Sequence, residues 1–152
     1  MRESAGILLY RFKEGVLQFF LVHPGGPFWK KKDEGAWTIP KGEFTKEEEP
    51  LSAAKREFQE ETGFTVEGNF IQLTPIKQKG GKIVHAWAIE GDIDAAMIKS
   101  NTLPLQWPPG SKKWIQVPEV DKGEWYKTEE AKLKINSAQA PFIDQLVSII
   151  NT

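Results

Sequence analysis

The sequence predicts an α/β domain built on a mixed rather than purely parallel β-sheet. Three observations lead there. β-rich runs fill the first half and are punctuated by short glycine turns. A long amphipathic segment interrupts them near residue 50, and a second helical pattern closes the chain. Strands with a few interspersed helices make an α/β arrangement. At 152 residues the simplest organisation is one domain spanning 1–152, large enough to bury its own core. No internal repeat, low-complexity tract or boundary linker divides it.

Taken in order, "SAGILLYRF" and "VLQFFLVH" are strand-like and joined by "KEG", which predicts a hairpin. The polar stretch "PGGPFWKKKDEGA" then precedes the short apolar "WTIP". A loop of that length inside a compact domain is uncommon and often functional. Leu51 to Thr62 predicts a helix, with Pro50 near its first turn and Gly63 where a C-terminal glycine belongs. "FTVEGNFIQLTPIKQ" and "KIVHAWAIEG" read as strands around a lysine-flanked Gly80-Gly81 turn. Asp92 to Gly110, with three prolines, is expected to be irregular. "KKWIQVP" and "EWYK" are short strand candidates, and Thr128 is placed to cap a short helix through "EEAKLKI". "SAQAPFIDQLVSII" predicts a terminal helix burying Phe142, Leu146 and either Ile149 or Ile150.

Composition removes several functions. The net charge of −1 gives no global field toward nucleic acid or anionic membrane, so a polyanionic substrate must be captured by local cations or metal. With no cysteine, disulfides, thiolate metal sites and a cysteine nucleophile are excluded. The opening apolar run is too short for a signal peptide, and no stretch reaches the roughly 18 apolar residues of a membrane span. A cytoplasmic protein is the expectation.

The informative stretch runs from Gly42 to Phe64, "GEFTKEEEPLSAAKREFQEETGF", and holds seven glutamates. On a helical wheel Leu51, Ala54 and Phe58 form the buried stripe. Glu57, Glu60 and Glu61 gather on one flank, within an arc of about 100° bordering that stripe. Like charges so spaced destabilise an isolated helix by a few tenths of a kcal/mol per pair. A divalent cation reverses the sign, and oxygen-only ligation suits Mg²⁺ or Mn²⁺ rather than zinc. For an arbitrary acidic helix a solvated face is the ordinary reading; here the register of the whole stretch decides otherwise.

That register is glycine, five residues, glutamate, seven residues, Arg-Glu, an apolar residue, one residue, Glu-Glu, one residue, glycine and an apolar residue. It resembles the Nudix box at every fixed position: Gly42, Glu48, Arg56, Glu57, Glu60, Glu61 and Gly63. Seven fixed positions at about 6% usage each would coincide roughly once in 10⁸–10⁹ starts. Phe58 and Phe64 stand where the family more often has aliphatic residues, a difference that bears on packing behind the helix. "WTIPKG" before the box and "PEVDKGEW" late in the chain are also similar to the family, so the resemblance extends over most of the sequence.

The resemblance implies a mixed β-sheet sandwiched between α-helices, with the box as a loop–helix–loop. It implies metal-dependent hydrolysis of a diphosphate linkage joining a nucleoside diphosphate to another group, by water attack on phosphorus. Carried over, Glu57, Glu60 and Glu61 are the metal-binding carboxylates, a backbone carbonyl around Lys41–Gly42 adds a ligand, Arg56 orients the glutamates, and Glu48 supports or adds to the set. The general base is expected to be Glu57, with Glu119 and Asp121 of "PEVD" as candidates outside the box. The alternative is a catalytically silent Nudix module that binds nucleotide or RNA as a sensor; the complete carboxylate set favours the enzyme.

For the substrate, Lys41 adjoins the box, Lys79 and Lys82 flank the Gly80-Gly81 turn, and Lys30 to Lys32 lie in the early loop. Each of these is by default solvated surface. A purine would want an aromatic face, which Phe28, Trp29 or Trp107 can offer from loop-like sequence; Trp37 and Trp87 read as core. His85 reads as a half-buried strand residue, and His23 as a residue at the second strand's end. The tyrosine of dinucleoside polyphosphate hydrolases is replaced by "GGK" and the proline of ADP-ribose hydrolases by Lys79, so neither sub-signature is present. Nucleotide or dinucleoside polyphosphates are the leaning, with capped RNA the one nucleic-acid exception, no membrane partner, and a monomer or homodimer expected.

Overall fold

The computed structural model describes residues 2–151, so both ends of the expected 1–152 domain lie just outside the described residues. The chain runs β1 (Glu3–Lys13), β2 (Val16–Pro24), β3 (Lys41–Glu43), α1 (Pro50–Thr62), β4 (Ile71–Gln72), β5 (Ile76–Lys77), β6 (Ile83–Glu90), β7 (Thr102–Gln106), β8 (Trp114–Pro118), β9 (Val120–Lys127), α2 (Thr128–Lys134) and α3 (Ala140–Ile150). Single 3₁₀ turns lie at Ala95–Met97 and Ser137–Gln139.

The main sheet has the order β4-β6-β1-β2-β9, with β3 pairing to β1 and β5 to β6. β1 and β6 run parallel while β1 is antiparallel to β2 and β3, so the sheet is mixed as the sequence predicts. The β1–β2 hairpin turns through Glu14 and Gly15, both at positive φ (53° and 78°), the twist that matches a tight two-residue hairpin.

The central strands are apolar on both sides because both faces of the sheet are covered. One face presents Ile7, Leu9, Phe20, Val22 and Ile89 to Ala53, Ala54 and Phe58 of α1. The alternate residues Leu8, Phe19, Leu21 and Ala88 face Trp37 and the terminal helices, where Ala131, Phe142, Ile143 and Leu146 are buried. Residues one apart in β1 and β2 thus serve opposite layers, the period-two signature of a strand. Among the described residues no helix is long and apolar enough to cross a membrane.

Several local expectations change. The run from Phe64 to Gln78 forms only two two-residue strands, because Gly68 sits at φ 136° and Thr74-Pro75 turns away to bond the Gln145 side chain. Asp92 to Gly110 is not wholly irregular: it holds a 3₁₀ turn and β7, which pairs with β8 in a separate two-stranded ribbon. Pro104 is tolerated there because a ribbon strand has a free edge. Thr128 is the first residue of α2 rather than its cap, a place taken by Lys127 with no side-chain bond. In α1, Ala53 joins the buried stripe while Leu51 is half-buried. In α3, Ile150 packs on the core and Ile149 stays exposed.

Candidate active site

Helix α1 begins as Glu49 leaves extended backbone and Pro50 supplies a pre-set φ to the first turn. It stops at Gly63, whose left-handed φ of 80° lets its N–H cap the Gln59 carbonyl. Between these ends, Glu57 and Glu61 lie one turn apart and point under the sheet, each only 6% exposed. A third carboxylate arrives from far along the chain. Glu119, in the one-residue link between β8 and β9, places an oxygen so that the ligand atoms of Glu57, Glu61 and Glu119 all lie within 4.8 Å of one another.

Backbone bonds hold Glu119 there. Its N–H donates to the Asn101 carbonyl (3.0 Å), and its own carbonyl accepts from Gly25 N–H (3.0 Å). Asn101 N–H in turn donates to the Glu60 carbonyl near the end of α1 (2.9 Å). The base of the β7–β8 ribbon is therefore tied both to the box helix and to the long early loop.

Arg56 organises the remaining acids. Its Nε and Nη2 donate to the two oxygens of Glu48 (2.7 and 2.9 Å), while Nη1 donates to Glu57 Oε2 (2.6 Å) and Glu60 Oε2 (2.7 Å). Hydrogen bonds to Glu48 lead the effects that hold the guanidinium pKa above its usual value, and Arg56 holds the Glu48 carboxyl below its usual range. Glu60 therefore departs from the expected cluster: it is half-buried and turned to Arg56, and Glu119 stands where the helix pattern alone would put it. Glu48 is likewise committed to Arg56 in this arrangement. Arg56→Lys is expected to lower kcat by about 10- to 100-fold, because a point charge cannot span three carboxylates. Its effect on Tm is expected to be small, since the pair is partly solvent-screened at 39% side-chain exposure. Equal losses in both readouts would contradict the orienting role.

Gly42 closes the site from the other side. A Cβ built there would fall 2.1 Å from Glu57 Oε1, so β3 can lie against the carboxylate only without a side chain. Burial raises the Glu57 pKa against the pull of Arg56. Burial raises Glu61 further, reinforced by Glu119 and Glu57 and opposed by Lys41 and a backbone hydrogen bond from it. Acidic groups crowded in this way, with oxygen-only donors and no histidine among them, fit a hard divalent cation. Lys41 itself is pushed below the usual ammonium range by burial and by Lys82, with Glu61, Glu43 and Glu57 pulling the other way.

A cleft of about 660 Å³ opens beside this cluster. Trp29, Lys41, Lys79 and Lys82 line it, so the structure assembles four of the five expected substrate-binding residues. Asn136 and Gln139 add a polar wall that the sequence did not single out. A smaller recess of about 140 Å³, containing Glu61 and Glu119, shares Pro24, Thr38 and Lys41 with the cleft. Trp107 is elsewhere: it sits at the end of the β7–β8 ribbon and does not line the cleft. Asp121 is also engaged away from the trio, 2.9 Å from His23 Nδ1. His23 is 1% exposed, and its Nε2 lies 2.6 Å from the Lys32 carbonyl, which fastens the early loop to the sheet. His85 is half-buried and pairs with Glu3 at 2.6 Å.

With that geometry in hand, comparisons place the chain. The family model for the NUDIX domain matches residues 1–146. A C. elegans Ap4A hydrolase binary complex superposes with a TM-score of 0.69 at 20% identity, covering 99% of this chain and 98% of that one. The NUDIX domain of Shewanella oneidensis NrtR complexed with ADP ribose gives 0.64 at 16% identity, covering 97% and 87%. A mutT/nudix family protein from Listeria innocua gives 0.63 at 18% identity, covering 99% and 94%. No curated protein matches the chain by the same standard.

Proposed function

The chain belongs to the NUDIX domain family, and on that premise we propose that it is a divalent-metal-dependent pyrophosphohydrolase. Its substrates would be nucleotide or dinucleoside polyphosphates, cleaved at a diphosphate linkage by water attack on phosphorus. The observation that carries this reading is the convergence of Glu57, Glu61 and Glu119 beside a cleft lined by three lysines.

Glu57, Glu61 and Glu119 would hold Mg²⁺ or Mn²⁺, with Glu60 one turn away and the Lys41–Gly42 backbone alongside. When bound, such ions neutralise phosphate oxygens and lower the pKa of a coordinated water. Arg56 fixes Glu57 through Oε2 and so keeps one of the cluster's oxygens stationary. Lys41, Lys79 and Lys82 offer charge to phosphates beyond the carboxylates, and Trp29 offers a ring face for a base. Attack in line needs a group to take the water's proton. Glu57, held rigid by Arg56, is our assignment, and Glu119 is the second carboxylate within the cluster. Two of the structural neighbours carry Ap4A hydrolase and ADP ribose in their descriptions, which is consistent with a nucleotide ligand.

A hydrolysis panel tests this directly. With Mg²⁺ or Mn²⁺, the protein would meet dinucleoside polyphosphates, nucleoside triphosphates, ADP-ribose and nucleotide sugars. Cleavage of the polyphosphate classes is expected. Nucleotide binding without cleavage of any class would instead make the protein a sensor. Glu57→Gln and Glu119→Gln separate the base from the supporting ligand. The base variant should lose its alkaline-rising limb of kcat even at saturating metal, whereas a ligand variant should recover as metal is raised. Recovery of Glu57→Gln at high metal would move the assignment to Glu119.

A further inference from the structure

The early loop has a second side. Lys30, Lys31, Lys32, Lys122 and Lys134 converge on a cavity of about 390 Å³ that shares no lining residue with the cleft or the carboxylate recess. Asp33 and Glu124 are the acids in its lining, which stands at a formal +3 within a protein of net −1, while Glu130 and Glu34 act on Lys134 from outside it. Asp33 is already spent: it takes Lys134 Nζ at 2.5 Å and Trp37 Nε1 at 2.9 Å. Among the described residues no carboxylate lies within ion-pair distance of the other four lysines.

Three of the lysines, Lys32, Lys122 and Lys134, are held in place by rings or by Asp33. Lys122 shares one face of β9 with Glu124 and Tyr126, and its Nζ lies 5.6 Å from the Trp37 ring centre. Lys32 Nζ sits 4.0 Å from the Phe28 ring centre and 5.5 Å from that of Trp29. The Lys32 backbone is pinned by His23. Cations held over ring faces with few counter-charges repel one another, and a multiply charged anion relieves that repulsion while exposed like charges alone do not. A cavity of about 390 Å³ has room for two or three linked phosphates.

We propose that this cavity, bounded by Lys30, Lys31, Lys32, Lys122 and Lys134, is a second phosphoanion site that takes a condensed phosphate of two or more units. It is separate from the carboxylate cluster and stands independently of the hydrolytic reading. Its occupant is either free polyphosphate or the terminal phosphates of a nucleotide, which share the chemistry recognised. Lys32 links this cavity to the cleft, since the rings beneath its ammonium include Trp29.

Calorimetric titration of the full chain in EDTA at fixed ionic strength tests the site. The probes are inorganic tripolyphosphate in one arm and a nucleoside triphosphate in the other. Tripolyphosphate is expected to bind at one site and to weaken at least tenfold in Lys31→Gln/Lys122→Gln, with no change in Lys82→Gln or Glu61→Gln. Binding by the nucleotide arm with the same lysine dependence would make the occupant a nucleotide's phosphate tail. Should the double variant lose stability, Lys31→Gln alone carries the test through an exposed loop side chain and is expected to weaken binding about threefold or more. The proposal is overturned if wild-type protein does not bind tripolyphosphate, or if sulfate at matched ionic strength competes equally. Loss of binding in Lys82→Gln with none in the Lys31 and Lys122 variants would place the anion in the cleft and overturn it too. Tight binding of a short RNA oligonucleotide in place of tripolyphosphate would reassign the surface to nucleic acid.

Discussion

Glu61→Gln is expected to abolish hydrolysis, lowering kcat by roughly 10³-fold, while raising the Tm of the metal-free protein. The two effects have one cause. Removing a ligand from a catalytic metal costs several kcal/mol of transition-state stabilisation, which is two to three orders of magnitude in rate. In EDTA, however, burial of the same carboxylate holds its pKa well above the ordinary range, with the charges of Glu119 and Glu57 adding to the effect. A neutral amide of the same shape keeps an acceptor for the Lys41 backbone donor and removes the repulsion. Each kcal/mol so relieved appears as about 2–4 °C in Tm for a chain of this size.

The sign with pH follows. Because the folded pKa of Glu61 exceeds the unfolded one, the native state binds more protons across the interval between them. Metal-free wild type therefore loses stability as pH rises from the ordinary carboxylate range to the folded value. Glu61→Gln should flatten that slope. Added Mg²⁺ should stabilise wild type, by about 2.7 kcal/mol at a hundredfold excess over Kd, and stabilise the variant less at the same Mg²⁺ concentration. Thermal scans with EDTA and Mg²⁺ at two pH values read all of this. A variant that melts below wild type in EDTA would show that Glu61 is paired in a way the carboxylate cluster does not explain.

The second large effect is expected at Gly42. Gly42→Ala should cut activity by about 10²-fold or more, the scale on which an ångström of misplacement acts at a reacting centre, with only a modest loss of stability. The new methyl meets the end of a side chain: its three nearest contacts, all below 3 Å, are the Glu57 carboxylate atoms. Glu57 can yield only by leaving its Arg56 hydrogen bond, so the backbone keeps its place while the ligand is displaced. Gly6→Ala is the instructive contrast, since its Cβ would strike the Pro40 carbonyl at 2.6 Å. That backbone cannot step away, so stability should fall first. Measuring kcat, Mg²⁺ affinity and Tm for both variants distinguishes the cases; near-normal metal affinity in Gly42→Ala would remove Gly42 from the site.

Much of the site was readable because it is local. The α1 boundaries, the Gly63 cap and the Gly42–Gly63 register are all short-range relations, and periodicity captures those. Glu60 shows where local reading stops. Wheel geometry sets it beside Glu57 and Glu61, yet Arg56 lies four residues before it and claims it through an ordinary helical ion pair. Glu119 is legible in "PEVD" only as a candidate base; its place beside Glu57 and Glu61 depends on the Asn101 and Gly25 backbone bonds, contacts that span up to 94 positions and show in no local window. His23 was seen only as a strand-end residue because its partners, Asp121 and the Lys32 carbonyl, are joined to it by the fold. Trp107 reads as a substrate residue from its loop-like surroundings, but the β7–β8 ribbon carries it away from the cleft. That both faces of the sheet are covered shows in the unbroken apolar runs of β1 and β2, which leave no polar side.

The knot of backbone bonds at Asn101 and Glu119 also divides the chain into a fixed frame and a free excursion. Everything from Thr102 to Pro118 leaves the frame and returns to it at neighbouring points, so the ribbon behaves as a loop with clamped ends. For such a loop the entropy of closure grows only with the logarithm of its length, about 0.6 kcal/mol for each doubling. Its turn between Gln106 and Trp114, and its outer face with Leu103, Trp114 and Ile115 open to solvent, can therefore be lengthened, shortened or re-faced while Glu119 keeps its address. The architecture gives this molecule a replaceable surface mounted directly on its most constrained point.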